Sequence, residues 1–517
     1  MNTKLVKRIV LISLILIMSG VFIGYNTGLF DNFLLRHKKD TAPSAASKTD
    51  VVASAPSATS KAAAQTSAIE KVDPTINNPQ ETMVPNEIPN TNGSSVVSIV
   101  QSQKKRAEEI TYEEIYEMTR NAIELSGGLE GIVKDNQTVV LKPNLVQMHV
   151  DSTGQLFDKE VNGPTTDWRV TKAVAELVRK LNPNGKILVM EGTAGDRTKK
   201  TMEYLNYTPE KIPSVDEFIS IEDDSGKWQD FNSPGLIKHS LPNGLLHKEY
   251  YLNKKYFECD VLISIPCLKT NSGAVVSGSI KNVSIGATPA NIYGISAANP
   301  GRTKMVSHKI VDGELDKWIY DYYMCKPVNF VVMDGLQGFQ NGPVPIGKDN
   351  VTSDRMNMRL IMAGKDSVSM DSIEALVLGW DPESITYLKY LSDSGMGIRD
   401  TSKITVVGNL VEEVRKPFKI RYTKLGGVQV KDKTPPELSL NTDKISNDKL
   451  NLSLNVGNDA VKVEVFIDGK LYTTVSSSDL ENISIDISRI PDGDHTVKLL
   501  AYDRFLNHSE IEIAETF

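Results

Sequence analysis

The run Asp260-Val261-Leu262-Ile263-Ser264-Ile265-Pro266-Cys267-Leu268 limits what this chain can fold into more than any other stretch. An apolar segment that starts at an acid and stops at a proline predicts a buried strand. Strands apolar on both faces belong to parallel sheets with helices packed over each side. Directly after the run come Lys269-Thr270-Asn271, a stretch of small residues, and Ser279-Ile280-Lys281-Asn282. Ligands of open α/β sheets bind beyond the carboxyl ends of the strands. The expectation is therefore a core strand that delivers Lys269, and Lys281 from a Gly/Ser-rich loop, into a site.

The surrounding chain repeats that pattern. Thr111-Tyr112-Glu113-Glu114 reads as a capping box opening a helix, and Gly127-Gly128 stops it. A second helix is predicted from Thr166, with Val170, Ala173, Val174, Leu177, Val178 and Leu181 at helical spacing. Further helices are predicted around Leu315, Trp318 and Ile319, at Ser369 to Leu378, and at Glu383 to Asp393. Strands are predicted at Thr138 to Leu141, Lys186 to Met190, Phe218 to Ile221, Val328 to Met333, Arg359 to Met362 and Ile404 to Val407. Strands alternating with helices predict an α/β domain, a mostly parallel sheet covered by helices, over residues 104–430.

Different segments flank this body. Lys4, Lys7 and Arg8 precede an apolar run from Ile9 to about Tyr25, close to the roughly 17-residue minimum for a membrane span. No small-x-small cleavage site follows it. Residues 1–40 are thus expected to form a cytoplasmic stub and a single-pass transmembrane helix. That places the bulk of the chain outside the cytoplasm, with the cytoplasmic membrane as a partner. Residues 41–103 are rich in Ala, Ser, Thr and Pro and predict a disordered tether. Pro435-Pro436 marks another boundary. Beyond it, short alternating runs (Leu450 to Asn455, Val461 to Ile467, Ile483 to Ile487, Val497 to Tyr502) are separated by Asp468-Gly469 and Asp492-Gly493, read as hairpin turns. Residues 434–517 therefore predict a small all-β sandwich of immunoglobulin-like type. The ending Ala501-Tyr502-Asp503-Arg504-Phe505-Leu506-Asn507 resembles the last strands of bacterial surface Ig-like modules, which implies a spacer or adhesive role.

Several chemistries lack their residues. A net charge of −7 gives no support to a nucleic-acid partner. The three cysteines form no Cys-x-x-Cys pair, so neither an iron–sulfur cluster nor a zinc site is expected. The seven histidines form no His-Glu-x-x-His, and no Gly-x-Ser-x-Gly elbow exists. Gly192-Thr193-Ala194-Gly195-Asp196-Arg197-Thr198 lacks the Lys-Ser/Thr ending of a nucleotide loop.

What remains is a set of polar residues at strand ends: Lys142 and Asn144, Glu191, Lys269 and Asn271, and Asp334. Thr166, Lys281 and Asn282 join them from the connections. Three lysines along one edge would suit a phosphate, carboxylate or sulfate. Lys269, Lys281 and Asp334 are the expected catalytic groups. Lys142, Asn144, Thr166, Asn271 and Asn282 are expected to hold the substrate. Glu191 and Asp334, placed directly after apolar strands, are the expected ligands of a divalent cation, Mg²⁺ or Mn²⁺. Asp167 fits the first turn of a helix, and Asp371 an exposed or cap-linked acid.

Taken in order, these pieces resemble the uncharacterised prokaryotic family called domain of unknown function 362. They are Lys142-Pro143-Asn144, Thr165-Thr166, Asp260 with Ile265-Pro266-Cys267-Leu268-Lys269-Thr270, and Lys281-Asn282. Asp334-Gly335, Asn341-Gly342-Pro343, Asp371 and Gly395-Met396-Gly397 complete the series, from roughly Ala122 to Gly408. The resemblance implies the α/β fold and the location of the site. Relatives often carry a histidine where Asn271 stands, and some have cysteine-rich iron–sulfur segments that are missing here. The expected protein is a membrane-anchored extracytoplasmic enzyme acting on a small anionic substrate. Its alternative is a non-catalytic cell-surface module that binds an anionic ligand or cell-wall polymer.

Overall fold

A computed structural model describes residues 93–146, 163–193, 198–294, 314–344, 353–421, 427–476 and 479–517. All of these lie in one compact unit, Asn86–Phe517. The expected anchor and nearly all of the expected tether lie outside the described residues. Among the described residues, no helix is long and apolar enough to cross a membrane.

The body is built on a ten-stranded mixed sheet. Its strands are β1 (Ser95–Gln101), β2 (Thr138–Pro143), β3 (Lys186–Glu191), β4 (Glu217–Ser220), β7 (Val261–Ile265), β8 (Cys267–Asn271), β9 (Val275–Val276), β10 (Phe330–Phe339), β11 (Leu360–Gly364) and β12 (Ile404–Gly408). A separate antiparallel pair comprises β5 (Leu236–Ser240) and β6 (Glu249–Asn253). The main order is β12-β1-β11-β10-β7-β2-β3-β4, with β8 running on from β7 to pair with the far end of β10. From β10 to β4 the strands are parallel, and β11 is antiparallel to both its neighbours.

Alternation along each strand sorts the core into two faces. Val139, Leu141, Ile187, Val189, Ile263 and Val332 meet helices α1 (Tyr112–Leu125) and α2 (Trp168–Leu181) on one side. Val140, Leu188, Met190, Leu262, Val331 and Met333 meet α3 (Ser279–Gly286), α4 (Glu314–Cys325), α5 (Ser367–Val377) and α6 (Thr386–Asp393) on the other. Both faces are covered, and every residue of β7 and β10 is buried. The capping box forms as expected: Thr111 accepts the Glu114 amide, and Glu114 accepts the Thr111 amide.

Four expectations are corrected. The tether does not extend to residue 103, because Ser95–Gln101 is a strand between β11 and β12 that buries Val97 and Ile99. The strand carrying Asp334 does not stop before it but continues to Phe339, so Asp334 sits in mid-strand. Lys281 lies in the first turn of α3 rather than in a loop. In the C-terminal module, Asp468-Gly469 does join a hairpin, but Asp492-Gly493 lies on a crossing between two sheets.

That module is a sandwich of two antiparallel sheets. One has the order β13 (Leu438–Ser446), β14 (Lys449–Val456), β17 (Asn482–Asp486). The other has the order β16 (Lys470–Val475), β15 (Ala460–Ile467), β18 (Asp494–Asp503), β19 (His508–Thr516). It is docked onto the body. Leu500, Tyr502 and Leu506 join the body's core. Buried Lys462 gives one hydrogen bond to Ile404 O of β12 at 2.7 Å and another to Glu464 at 2.6 Å. Arg415 of the body bonds Asn507 Oδ1 at 2.7 Å and also the Phe505 carbonyl.

Candidate functional site

Strands β2, β3 and β7 run in parallel, so their carboxyl ends share one edge. Lys142 and Glu191 sit at the ends of β2 and β3, and both are buried. The Lys142 ammonium lies 2.9 Å from Glu191 Oε1 and also donates to Pro143 O at 2.7 Å and Asn282 Oδ1 at 3.3 Å. Burial pushes the Lys142 pKa down and the Glu191 pKa up, each against the attraction of the other. Asn282 returns from α3 to donate to Lys142 O and Ser264 Oγ. Gly286 is required at the far end of that helix, because a Cβ there would stand 2.7 Å from the Lys142 ammonium.

Lys269 is held differently. Its ammonium donates to Pro164 O at 2.6 Å and Asn144 Oδ1 at 3.0 Å, both neutral oxygens. It has no carboxylate ion-pair partner among the described residues. Thr166 braces this corner by accepting the Asn144 amide and donating to Ile265 O.

Lys281 is 7 % exposed, and its ammonium has no hydrogen-bond or ion-pair partner among the described residues. Burial first and the Lys269 charge second push its pKa down to about 7, opposed by Cys267 and Glu374. The helix that carries it begins at Gly278 without a side-chain cap of its own. Asp371 of α5 supplies the cap: it accepts the Ser279 amide at 2.6 Å, the Ser279 hydroxyl at 2.7 Å and the Ile280 amide at 3.2 Å. A Cβ on Gly278 would stand 2.1 Å from that carboxylate. Asp371 is thus the cap-linked acid of the two readings, and burial moves its pKa up to about 6.

Around these lysines lie buried polar atoms that lack hydrogen-bond partners among the described residues: Asn271 Nδ2, Ser277 Oγ and Glu374 Oε2. Each belongs to the Lys269 neighbourhood. Asn271 is two residues along β8, the Ser277 amide donates to Lys269 O, and Glu374 Oε1 accepts the Lys269 amide at 3.4 Å. Buried polar groups are nearly always satisfied, and a cluster of exceptions points to something that binds there. Burial, with Asp371 beside it, raises the Glu374 pKa well above the usual carboxylate range. Glu374 escaped the sequence reading. Its one signal was an acid inside the apolar run Ile373-Glu374-Ala375-Leu376-Val377.

Asp334 has no lysine among its hydrogen-bond or ion-pair partners in the described residues. It faces α2, where it accepts the Asp167 amide at 2.7 Å and the Leu336 amide at 2.9 Å. Burial and the Asp167 charge raise its pKa to about 7. Nor do the two acids expected to hold a cation fit one. Both Glu191 oxygens are taken, by Lys142 and the Gly192 amide and by the Leu145 amide, and both Asp334 oxygens are taken by amides. Among the described residues no group of three His, Cys, Asp or Glu is placed to hold a metal ion.

Residues 139–375 match the family model described as Domain of unknown function (DUF362), a span that contains Lys142, Glu191, Lys269, Lys281, Asp334, Asp371 and Glu374. No curated protein matches the sequence. Among solved structures, the fibronectin(III)-like modules of Clostridium thermocellum CbhA align at 15 % identity over 16 % of this chain and 94 % of theirs, with a TM-score of 0.13. The lactate racemase apoprotein from Thermoanaerobacterium thermosaccharolyticum aligns at 14 % identity over 54 % and 56 %, with a TM-score of 0.28. The Clostridium perfringens spore cortex lytic enzyme SleM aligns at 9 % identity over 79 % and 77 %, with a TM-score of 0.18. Likenesses this weak carry no argument about activity.

Proposed function

We propose that the DUF362 domain of this chain, at residues 139–375, is an enzyme domain that takes a small anionic substrate at the Lys269–Lys281 corner. The observation that carries the reading is Lys281: a lysine only 7 % exposed, whose ammonium has no partner among the described residues, near a second lysine held only by neutral oxygens. An anion placed between them would accept from both ammonium groups and offset their repulsion. It would also give Asn271 Nδ2 and Ser277 Oγ the partners they lack. The Lys142–Glu191 pair is already neutralised and serves to fix the strand ends. The N-terminal apolar run and the tether-like composition after it support an extracytoplasmic protein anchored in the cytoplasmic membrane.

A second reading keeps the same pocket without turnover, as a surface module for an anionic ligand or wall polymer. The docked sandwich favours it, because a rigid second module enlarges the surface available to a polymer. Thermal denaturation with sulfate, phosphate and citrate tests the shared claim. A ligand that binds only the folded state raises the midpoint. All three anions are expected to raise it for the wild type and not for Lys269→Met, and Mg²⁺ is expected to leave it unchanged. Equal shifts in the two proteins would remove the site.

A further inference from the structure

Three lysines meet at one edge of the sheet, and two of them have fixed work. Lys142 is locked by Glu191 and Pro143 O, and Lys269 by Pro164 O and Asn144 Oδ1. Lys281 has no acceptor among the described residues. A lysine needed only for its charge is normally given an oxygen to hold it. One that is buried, unheld and set beside another cation is biased toward the free amine, which is a nucleophile.

We propose that the Lys281 amine condenses reversibly with the carbonyl group of a small oxo acid whose carboxylate is held by Lys269. This rests on the anion site proposed above and names its substrate class: a short molecule carrying both an anionic group and an aldehyde or ketone. The free amine attacks the carbonyl carbon, and the C–O π bond breaks to give a carbinolamine. That oxygen leaves as water after taking two protons, one of them from the amine nitrogen. A C=N bond remains, and no electrons are gained or lost. Glu374 is placed to supply the other proton. Its Oε2 has no partner among the described residues, and burial together with Asp371 favours its protonated form. The groups that face Lys281 are Lys269, Cys267 and Glu374. Cys267 does not compete as the nucleophile, because burial raises its thiol pKa to about 11.

The test uses the full chain, glyoxylate as the oxo acid and sodium cyanoborohydride to reduce any imine, near pH 7. Peptide mass spectrometry then locates carboxymethyl-lysine. An ordinary alkyl ammonium is about one-thousandth or less in the amine form at that pH, whereas Lys281 is about half in that form; Lys134 and Lys470, both exposed, serve as reference positions. Lys281 is therefore expected to be modified at least tenfold faster than either, and sulfate is expected to slow it. Modification of Lys281 no faster than Lys470 would overturn the proposal. If sulfate still raises the melting midpoint in that case, the anion site stands and only the imine chemistry falls. If sulfate binds nowhere, both fall.

Discussion

The Lys142 ammonium and the Glu191 carboxylate lie 2.9 Å apart, and neither side chain is more than 2 % exposed. They join the ends of β2 and β3 and, through Asn282, tie both to α3. Removing one partner of such a pair leaves a bare buried charge, whereas removing both does not. Lys142→Met and Glu191→Gln are each expected to cost about 3–5 kcal/mol in urea unfolding. The double variant Lys142→Met/Glu191→Leu is expected to recover most of that loss. A double variant as unstable as the sum of the singles would show that the two residues act independently.

Gly286→Ala is expected to disturb the same pair from the helix side. Its Cβ would stand 2.7 Å from the Lys142 ammonium and 3.1 Å from Glu191 Oε1. Overpacking of this kind costs about 1–3 kcal/mol. Chemical denaturation of the variant checks it. A gain in stability, the usual result of glycine to alanine in a helix interior, would contradict the packing described.

Lys281 makes stability depend on pH with a definite sign. Its ordinary pKa is 10.5, and in the fold it is pushed down to about 7. Below pH 7 both states hold the proton, and the folded protein bears the full burden of a buried charge. Between about pH 7 and 10.5 the unfolded chain binds more protons, so this group's contribution improves as pH rises. Lys281→Met is therefore expected to be more stable than the wild type by about 2–4 kcal/mol at pH 6, a gap that narrows toward pH 10. Urea titrations across that range check it. A gap that is constant or widens with pH would be the opposite of what burial imposes.

How much of this was legible in the sequence differs from one element to the next. The apolar runs of β2, β3 and β7 and the cap of α1 are local patterns, and they form as read. The charges at the ends of β2 and β3 meet because those strands are parallel, which followed from their two-sided apolar character. Helix α3 was not legible, because its cap comes from Asp371, ninety-two residues further along the chain. Before that cap is in place, Gly278-Ser279-Ile280-Lys281 has the composition of a loop. Glu374 was hidden because every residue of α5 is buried, so no polar face marked the helix as amphipathic. Strand β1 was obscured by the polar, small-residue composition of the segment before it, although Val96-Val97-Ser98-Ile99-Val100 carries a strand's residues.

The C-terminal sandwich is expected to unfold with the body. Lys462 and Arg415 cross the junction, and Tyr502 sits in the body's core. Calorimetry of residues 86–517 should give one transition for the wild type. Arg415→Ala, which strips the Asn507 and Phe505 bonds, should lower it by several degrees and separate a second transition. Two transitions already present in the wild type would contradict a docked module.

Whether Lys269 and Lys281 together receive an anion is measured directly by titration calorimetry with sulfate. Sulfate does not titrate near neutrality, so any proton exchanged passes between the buffer and the protein. An anion between the lysines favours protonated Lys281, whose pKa starts at about 7. At pH 7.5, sulfate binding should take up a substantial fraction of one proton, seen as a heat that varies with the buffer's ionisation enthalpy. That uptake should vanish in Lys281→Met. Binding to the wild type with no proton uptake, or the same uptake in Lys281→Met, would contradict the claim.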